Sequence, residues 1–568
     1  MRMVNNLKAK PPMLFDDLRD MVYKCEEKFG KKLLYAYTEN DIEKQWTYED
    51  LKTNLDAIGT AFSKLGLLGK RVAVIGDTHP MYTTLYIATI TGNGTIIPLD
   101  KELDISQVAA FINHAEADAI AYTASFNEKI PAIAKEIPGI KLFIPIQPDE
   151  SYVPGDNMIS TDDLVKLGKQ ELEAGNTAYK DTEIVLERRS AILFTSGTTG
   201  TSKGVMLSHK NLISSLNSAT HSMSYDDECT FVSVLPIHHT YEMMCGQLGV
   251  IAIGGAQMIN PSIKKVLKTF RDFKPTTLVL VPLFLETMHK KIWDEIRKKG
   301  MEKKVRAAMK MNVGLLNVGI DIRNKLFGQI TAAFGGNLKS IVCGGAPINP
   351  EIIIDFYHFG ITVLEGYGIT ECSPLVAVNS PGKVQFHSVG TPVANVEVKI
   401  DYDEGQQTGE ILVKGDNVML GYYKDEEATQ KVFTDDGFFR TGDIGYIKNG
   451  YIYITGRKKN VIILSNGKNV FPEEIEEYLA NIPFILESVV IGRENDRGDV
   501  VITAIIVPDA SSPEIEGHTP EEVYDTVKSA VININKNLPS FKHIADIEIR
   551  REEFEKNTSR KIKRYLIK

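Results

Sequence analysis

Short apolar runs alternating with helix-spaced stretches fill the first half of the chain. Arg71–Asp77 (RVAVIGD), Gly94–Asp100 (GTIIPLD) and Asp118–Ala124 (DAIAYTA) predict strands, each followed by a helical pattern. Such alternation predicts an α/β layered sheet. Pro275–Gly300 predicts a buried strand running into a helix with a basic last turn, which the helix dipole favours. Beyond about residue 385 the pattern changes. VEVKIDYDEGQQTGEILVKG predicts two strands around an acidic, glycine-containing turn. GYIKNGYIYITG predicts a tighter hairpin, because Asn449-Gly450 suits left-handed turn dihedrals. Together they predict a small antiparallel sheet or barrel. A last segment of roughly 110 residues carries its own strands and helices, as a separate folding unit would. In it FPEEIEEYLANI starts a helix, with Pro472 in the first turn and carboxylates at the positive end.

Composition narrows the class. At 568 residues the chain exceeds one ordinary core, so at least two folding units are expected. With 43% hydrophobic and 24% charged residues it reads as a soluble globular protein. A formal charge of −9 argues against nucleic acid as a partner. Cys25, Cys229, Cys245, Cys343 and Cys372 lie far apart with no CxxC pair, which fits neither a zinc framework nor a disulfide scaffold and suits a reducing compartment. The first twenty residues hold no apolar core of signal-peptide length, and the most apolar stretches are too short to cross a bilayer. The expectation is a cytoplasmic protein, with peripheral membrane contact left open.

The loop LFTSGTTGTSKG, Leu193–Gly204, offers hydroxyls, backbone N–H groups and a lysine. A P-loop requires Gly-Lys-Ser/Thr, but Lys203 lies between Ser202 and Gly204. The dinucleotide fingerprint also fails, because GYGITE places Glu371 where its third glycine belongs. Alone, such a loop is more often a flexible surface turn. Four further motifs follow in order: LEGYGITECSP (Leu364–Pro374), RTGDIGY (Arg440–Tyr446), GRKKNVIILSNGKNVFPEEIE (Gly456–Glu476) and NTSRKIKR (Asn557–Arg564). With the loop, they resemble the ordered signature of the acyl-adenylate-forming superfamily of acyl-CoA synthetases, luciferases and peptide-synthetase adenylation domains.

This resemblance implies an α/β fold with a large N-terminal adenylating domain of layered α/β subdomains plus a small antiparallel β-barrel. A small mobile α+β C-terminal domain would follow, with boundaries at 1–456 and 457–568. It implies a two-step reaction: a carboxylate attacks the α-phosphate of ATP to give acyl-AMP and pyrophosphate, then a thiol displaces AMP. Charge must be neutralised where two anions meet. By resemblance, Thr195, Ser196, Gly197, Thr198, Thr199, Gly200 and Lys203 cradle the β- and γ-phosphates. Glu371 binds Mg²⁺ with Thr195 as a second ligand, as a hard cation prefers oxygen. Gly345, Ala346 and Pro347, with Tyr367, form the adenine slot, Glu365 and Gly366 also bind the nucleotide, and Thr370 meets the α-phosphate. Asp443 takes the ribose hydroxyls, Arg457 supports the ribose, and Lys459 falls at the interdomain hinge. Near the C-terminus Glu555 replaces the family's proline and Arg560 its glycine, while Lys561 keeps the lysine-before-isoleucine position. Lys561 is therefore the expected catalytic cation, with Lys556 and Lys563 as rivals.

LPIHHTYE (Leu235–Glu242) resembles the segment beside the acyl pocket of long-chain fatty acyl-CoA synthetases, with His239 matching their histidine as a gate or pocket wall. The long stretch from Lys290 to Gly336 resembles the same group, and nothing resembles the aspartate that anchors an amino group in amino-acid-activating relatives. The implied activity is an AMP-forming long-chain fatty acid–CoA ligase, with fatty acid, ATP and CoA as substrates. Activation of another carboxylic acid, loading of a carrier protein, or a non-catalytic nucleotide-binding role are the alternatives.

Overall fold

The computed structural model describes residues 11–39, 41–150, 152–153, 155, 157–195, 202–223, 225–402, 407–465, 468–495, 498–556 and 562–567. They divide into two compact units. The larger holds the described residues up to Ala346, with Ile352–Glu397 and Lys414–Phe433. The smaller holds Pro347–Glu351, Val398–Val413 and the described residues from Thr434 onward. The mixed α/β architecture matches the expected fold class.

Two sheets organise the larger unit. The three strands predicted first form as Arg71–Ile75, Thr95–Leu99 and Ala119–Tyr122, in a seven-stranded sheet. Its order is Gly421–Tyr422, Lys203–Ser208, Arg189–Thr195, Thr95–Leu99, Arg71–Ile75, Ala119–Tyr122, Leu142–Pro145. The last five are mutually parallel and the first two antiparallel. The helix Pro80–Thr91 is buried along its whole length, which its apolar-all-round sequence PMYTTLYIATIT allows.

The second sheet has nine strands, six of them consecutive and parallel from Thr362–Gly368 through Ser340–Gly344, Thr277–Leu280, Thr230–Ser233 and Ala256–Ile259 to Leu33–Glu39. The predicted strand and helix of Pro275–Gly300 appear as Thr277–Leu280 and Pro282–Lys298. Parallel neighbours bring their C-terminal ends to one edge, where ligand sites of such sheets form.

In the smaller unit, Gly409–Gly415, Phe439–Lys448 and Tyr451–Arg457 pair antiparallel, with Val396–Tyr402 completing a four-stranded sheet. The predicted tight turn forms with φ of +53° at Asn449 and +81° at Gly450. Farther on, Ile485–Glu494, Val500–Pro508 and Asp546–Ile549 make a three-stranded sheet. Helices Pro472–Ala480 and Pro520–Asn535 pack on it through Ile475, Leu479, Val527 and Val531.

Candidate active site

The Gly/Thr-rich loop closes an antiparallel hairpin. Arg189–Thr195 and Lys203–Ser208 pair so that Thr195 lies opposite Lys203, and the Thr195 hydroxyl donates to the Lys203 carbonyl at 3.4 Å. Ser196, Gly197, Thr198, Thr199 and Gly200 lie outside the described residues. Behind the lysine, Gly204 is packed closely: a Cβ there would meet Ile192 at 3.1 Å and Phe194 and Tyr423 at 3.3 Å.

The next strand across, Gly421–Tyr422, pairs with Val205 and Met206. This places Tyr422 beneath Lys203, whose ammonium sits 4.6 Å from the ring centroid, within cation–π range. The Tyr422 hydroxyl donates to Glu371 Oε1 at 3.1 Å. Burial first, then the adjacent carboxylate, pushes the phenol pKa far up, so it remains a donor. Glu371 stands in the short turn Thr370–Cys372, tied down by Met419 N–H donating to the Glu371 carbonyl at 2.8 Å and Asn417 Nδ2 donating to the Cys372 carbonyl at 3.2 Å. Thr195, Lys203 and Glu371 thus belong to one network. Tyr422, which completes it, went unread in the sequence, where only the aromatic pair of LGYYK hinted at it.

The adenine-slot candidates of this unit also converge. Strand pairing sets Gly344 against Gly366 and Cys343 against Glu365, with buried Tyr367 next in line. Gly345 has φ of +88°, a conformation that favours glycine. Ala346 follows it, and Pro347 is grouped with the smaller unit.

Beside these glycines lies an apolar cavity of about 90 Å³. Gly344, Gly345, Gly366, Tyr367 and Gly368 border it, and Tyr225, Phe231, Tyr241, Met244, Cys245 and Val279 supply its apolar wall. The Tyr241 hydroxyl donates to the Val342 carbonyl at 3.1 Å, fixing the ring in the wall. Thr370 and Glu371 lie in the turn that follows this glycine edge in the chain, between Gly368 and Pro374 of the lining.

Part of this wall is a π-helix, Glu242–Leu248, a wide turn often found at functional sites. Glu242 is only 1% exposed. Its Oε1 accepts from Ser233 Oγ at 2.5 Å and from Gln247 Nε2 at 2.9 Å. Burial raises its pKa to about 7, with those two donors pulling the other way. A Cβ at position 246 would lie 2.6 Å from this carboxylate, so Gly246 permits the packing.

His239 precedes the π-helix, its ring centroid 4.1 Å from that of His238. It is half-buried and stands two residues before Tyr241, rather than in the cavity lining. Its neighbour His238 faces Asp100 at 3.6 Å, and burial, aided by Lys101, lowers its pKa to about 4.

The smaller unit carries the ribose candidates. Asp443 and Arg457 are register partners on adjacent strands, and Arg457 Nε contacts Asp443 Oδ1 at 2.8 Å. Asp443 is buried, while Arg457 remains more exposed. Lys459 sits in the turn Lys458–Asn460. Burial and the cations Arg457 and Arg564 lower its pKa to about 8, with Asp443 and Glu473 opposing. Also missed in the sequence, buried Glu410 takes Lys458 at 2.9 Å, Arg440 at 3.1 Å and the Gly442 N–H at 3.1 Å.

Lys561 lies outside the described residues. Its neighbour Ile562 packs on the cluster of Val489, Ile505, Val507 and Phe554. Of the rivals, Lys556 pairs with Glu487 and, at 2.8 Å, with Glu553, while Lys563 is 3.7 Å from Glu555.

Residues 24–423 match the family described as AMP-binding enzyme, and residues 459–568 match the AMP-binding enzyme C-terminal domain. The chain belongs to the AMP-binding enzyme family. Among its relatives, long-chain-fatty-acid–CoA ligase 5 of Rattus norvegicus is 30% identical, over 78% of this chain and 67% of that protein. Long chain acyl-CoA synthetase 7, peroxisomal, of Arabidopsis thaliana is 28% identical, over 82% of this chain and 69% of its own length. Long-chain-fatty-acid–CoA ligase FadD15 of Mycobacterium tuberculosis is 27% identical, over 84% and 80%. Among solved structures, this AMP-binding enzyme is similar in fold to ATP-bound MatB from Rhodopseudomonas palustris, with a TM-score of 0.73 at 23% identity over 97% of this chain and 98% of that one. The anthranilate CoA ligase AuaEII in complex with anthranoyl-AMP gives 0.76 at 18% identity, over 98% and 97%.

Proposed function

We propose that this AMP-binding enzyme activates a long-chain fatty acid with ATP and transfers the acyl group to CoA, releasing AMP and pyrophosphate. The observation that carries this reading is the apolar cavity opening on the glycine edge Gly344–Gly345 and Gly366–Gly368. An alkyl chain that fills this cavity directs its carboxylate toward the glycine edge that borders it, on the strand leading into the Thr370–Cys372 turn. The names of the relatives, long-chain ligases and synthetases, support the same substrate class.

In the first half-reaction a carboxylate oxygen bonds to the α-phosphorus and the bond to the pyrophosphate oxygen breaks. Lys203 and the loop hydroxyls neutralise the departing phosphates, and Lys561 joins carboxylate to α-phosphate. Mg²⁺, when bound, screens the phosphate charge. Glu371 and Thr195 fit it as hard oxygen donors, and the Tyr422 hydrogen bond holds Glu371 in one orientation. In the second half-reaction the CoA sulfur attacks the acyl carbon and AMP leaves. Asp443 holds the ribose, with Arg457 fixing the carboxylate.

Pyrophosphate release with a panel of acids, with and without CoA, tests the reading. Each methylene buried in an apolar wall contributes up to about 0.8 kcal/mol, so the specificity constant should rise with chain length until the cavity ends. A highest specificity constant for acetate, a benzoate or an amino acid refutes the fatty-acid assignment. Pyrophosphate release without CoA consumption refutes the acceptor.

A further inference from the structure

Residues 290–325 contain eleven Lys or Arg and only four Asp or Glu, a net of seven positive charges in a chain whose formal charge is −9. The centre of this segment is the helix Glu302–Asn317, which buries Met309, Asn312 and Leu316. Its neighbour Pro282–Lys298 is joined to it where the Arg306 guanidinium lies 4.4 Å from the ring of buried Trp293. At 100° per residue, Lys303, Lys310, Met311 and Val318 fall on one outward arc about 100° wide, opposite the buried positions.

That arc combines charge with uncovered apolar side chains. Met311 is 51% exposed and Val318, at the helix C-cap, 70%; Ile320, in the turn just past the helix end, is 49% exposed. Lys303, Lys304 and Lys310 are exposed among them, and Glu302 is the only acid of the helix. No helix among the described residues is long and apolar enough to cross a membrane. Lysines interleaved with aliphatic tips instead suit a helix lying in the plane of a bilayer surface.

We propose that the outward face of residues 302–320 docks this protein on an anionic lipid bilayer. Lys303, Lys304 and Lys310 meet the headgroups, and Met311, Val318 and Ile320 enter the headgroup–acyl boundary. Charge complementarity decides the partner: the local excess of cations opposes the sign of the whole chain and matches that of an anionic leaflet. The aliphatic tips favour a bilayer over nucleic acid, because they add nothing to phosphate binding but gain from burial in lipid. The proposal is independent of which acid the enzyme activates.

Co-sedimentation of the full chain with phosphatidylcholine vesicles, with and without phosphatidylglycerol, tests it. Binding should require the anionic lipid and weaken with salt. Replacing Lys303, Lys304 and Lys310 together by Gln should weaken it on the order of 100-fold at low salt, since each lysine near an anionic surface acts strongly. Met311→Ser with Val318→Ser should weaken it at least about tenfold, with the salt dependence retained. Pyrophosphate release with a soluble acid, vesicles absent, should be unchanged in both variants, which reports that they are folded. The proposal is overturned by absence of binding to anionic vesicles, or by binding that neither variant alters. Lysine-dependent binding to single-stranded RNA without vesicle binding also overturns it, and assigns the face to nucleic acid.

Discussion

Tyr422 donates its hydroxyl hydrogen to Glu371 across 3.1 Å, while Lys203 lies over the same ring. One phenol therefore supports the candidate metal carboxylate and the phosphate-loop lysine together. It occupies that position because Gly421–Tyr422 is an edge strand paired to the strand that begins at Lys203.

Tyr422→Phe keeps the ring but removes the donor, so Glu371 loses a fixed orientation. Groups that orient a metal ligand typically contribute about 10- to 100-fold in affinity or activity. The Mg²⁺ concentration for half-maximal pyrophosphate release should rise at least about tenfold. Glu371→Gln should lose most adenylation, with part restored by excess Mg²⁺. Unchanged Mg²⁺ dependence in both variants would remove Glu371 from the metal site.

Glu242 makes a prediction about stability. Its folded pKa of about 7 lies above the ordinary carboxylate value, so the fold favours the protonated form. Its favourable contribution is fully present below about pH 4.5 and is lost as pH rises through about 7, with a range of about 3 kcal/mol. Glu242→Gln retains an oxygen that accepts from Ser233 and Gln247 without titrating. The unfolding midpoint of this variant, relative to wild type, should rise progressively from pH 5 to pH 8. A difference independent of pH would show that Glu242 does not titrate in this interval.

Lys459 should deprotonate near pH 8, because burial and Arg457 disfavour its charge. Competitive acetylation read by mass spectrometry should find it more reactive than exposed lysines at that pH. Arg457→Gln should raise its pKa toward the ordinary lysine value. Labelling of Lys459 that tracks the exposed lysines at every pH would contradict this environment.

For the catalytic cation, Lys561→Ala should abolish acyl-AMP formation from acid and ATP yet convert supplied acyl-AMP and CoA to thioester at near-normal rate. The charge is needed only while two anions approach. Lys563→Ala, with its ammonium near Glu555, should leave both steps largely intact. A selective defect in Lys563→Ala instead would move the assignment by two residues.

The local pattern alone determined much of the fold. The strands at Arg71–Ile75, Thr95–Leu99 and Ala119–Tyr122, the Asn449-Gly450 turn and the Pro472 helix start are set by neighbouring side chains and backbone preferences. Five motifs in order also made the reaction class legible, through their resemblance to the acyl-adenylate-forming superfamily. Tertiary structure decided which groups act on one another. Tyr422 meets Glu371 from 51 positions away, Leu33–Glu39 pairs with a strand more than 200 residues later, and Glu242 lies buried within a π-helix. Nothing in a run of residues encodes these relations, since hydrogen-bond partners, desolvation and pKa depend on strand register and packing between distant segments.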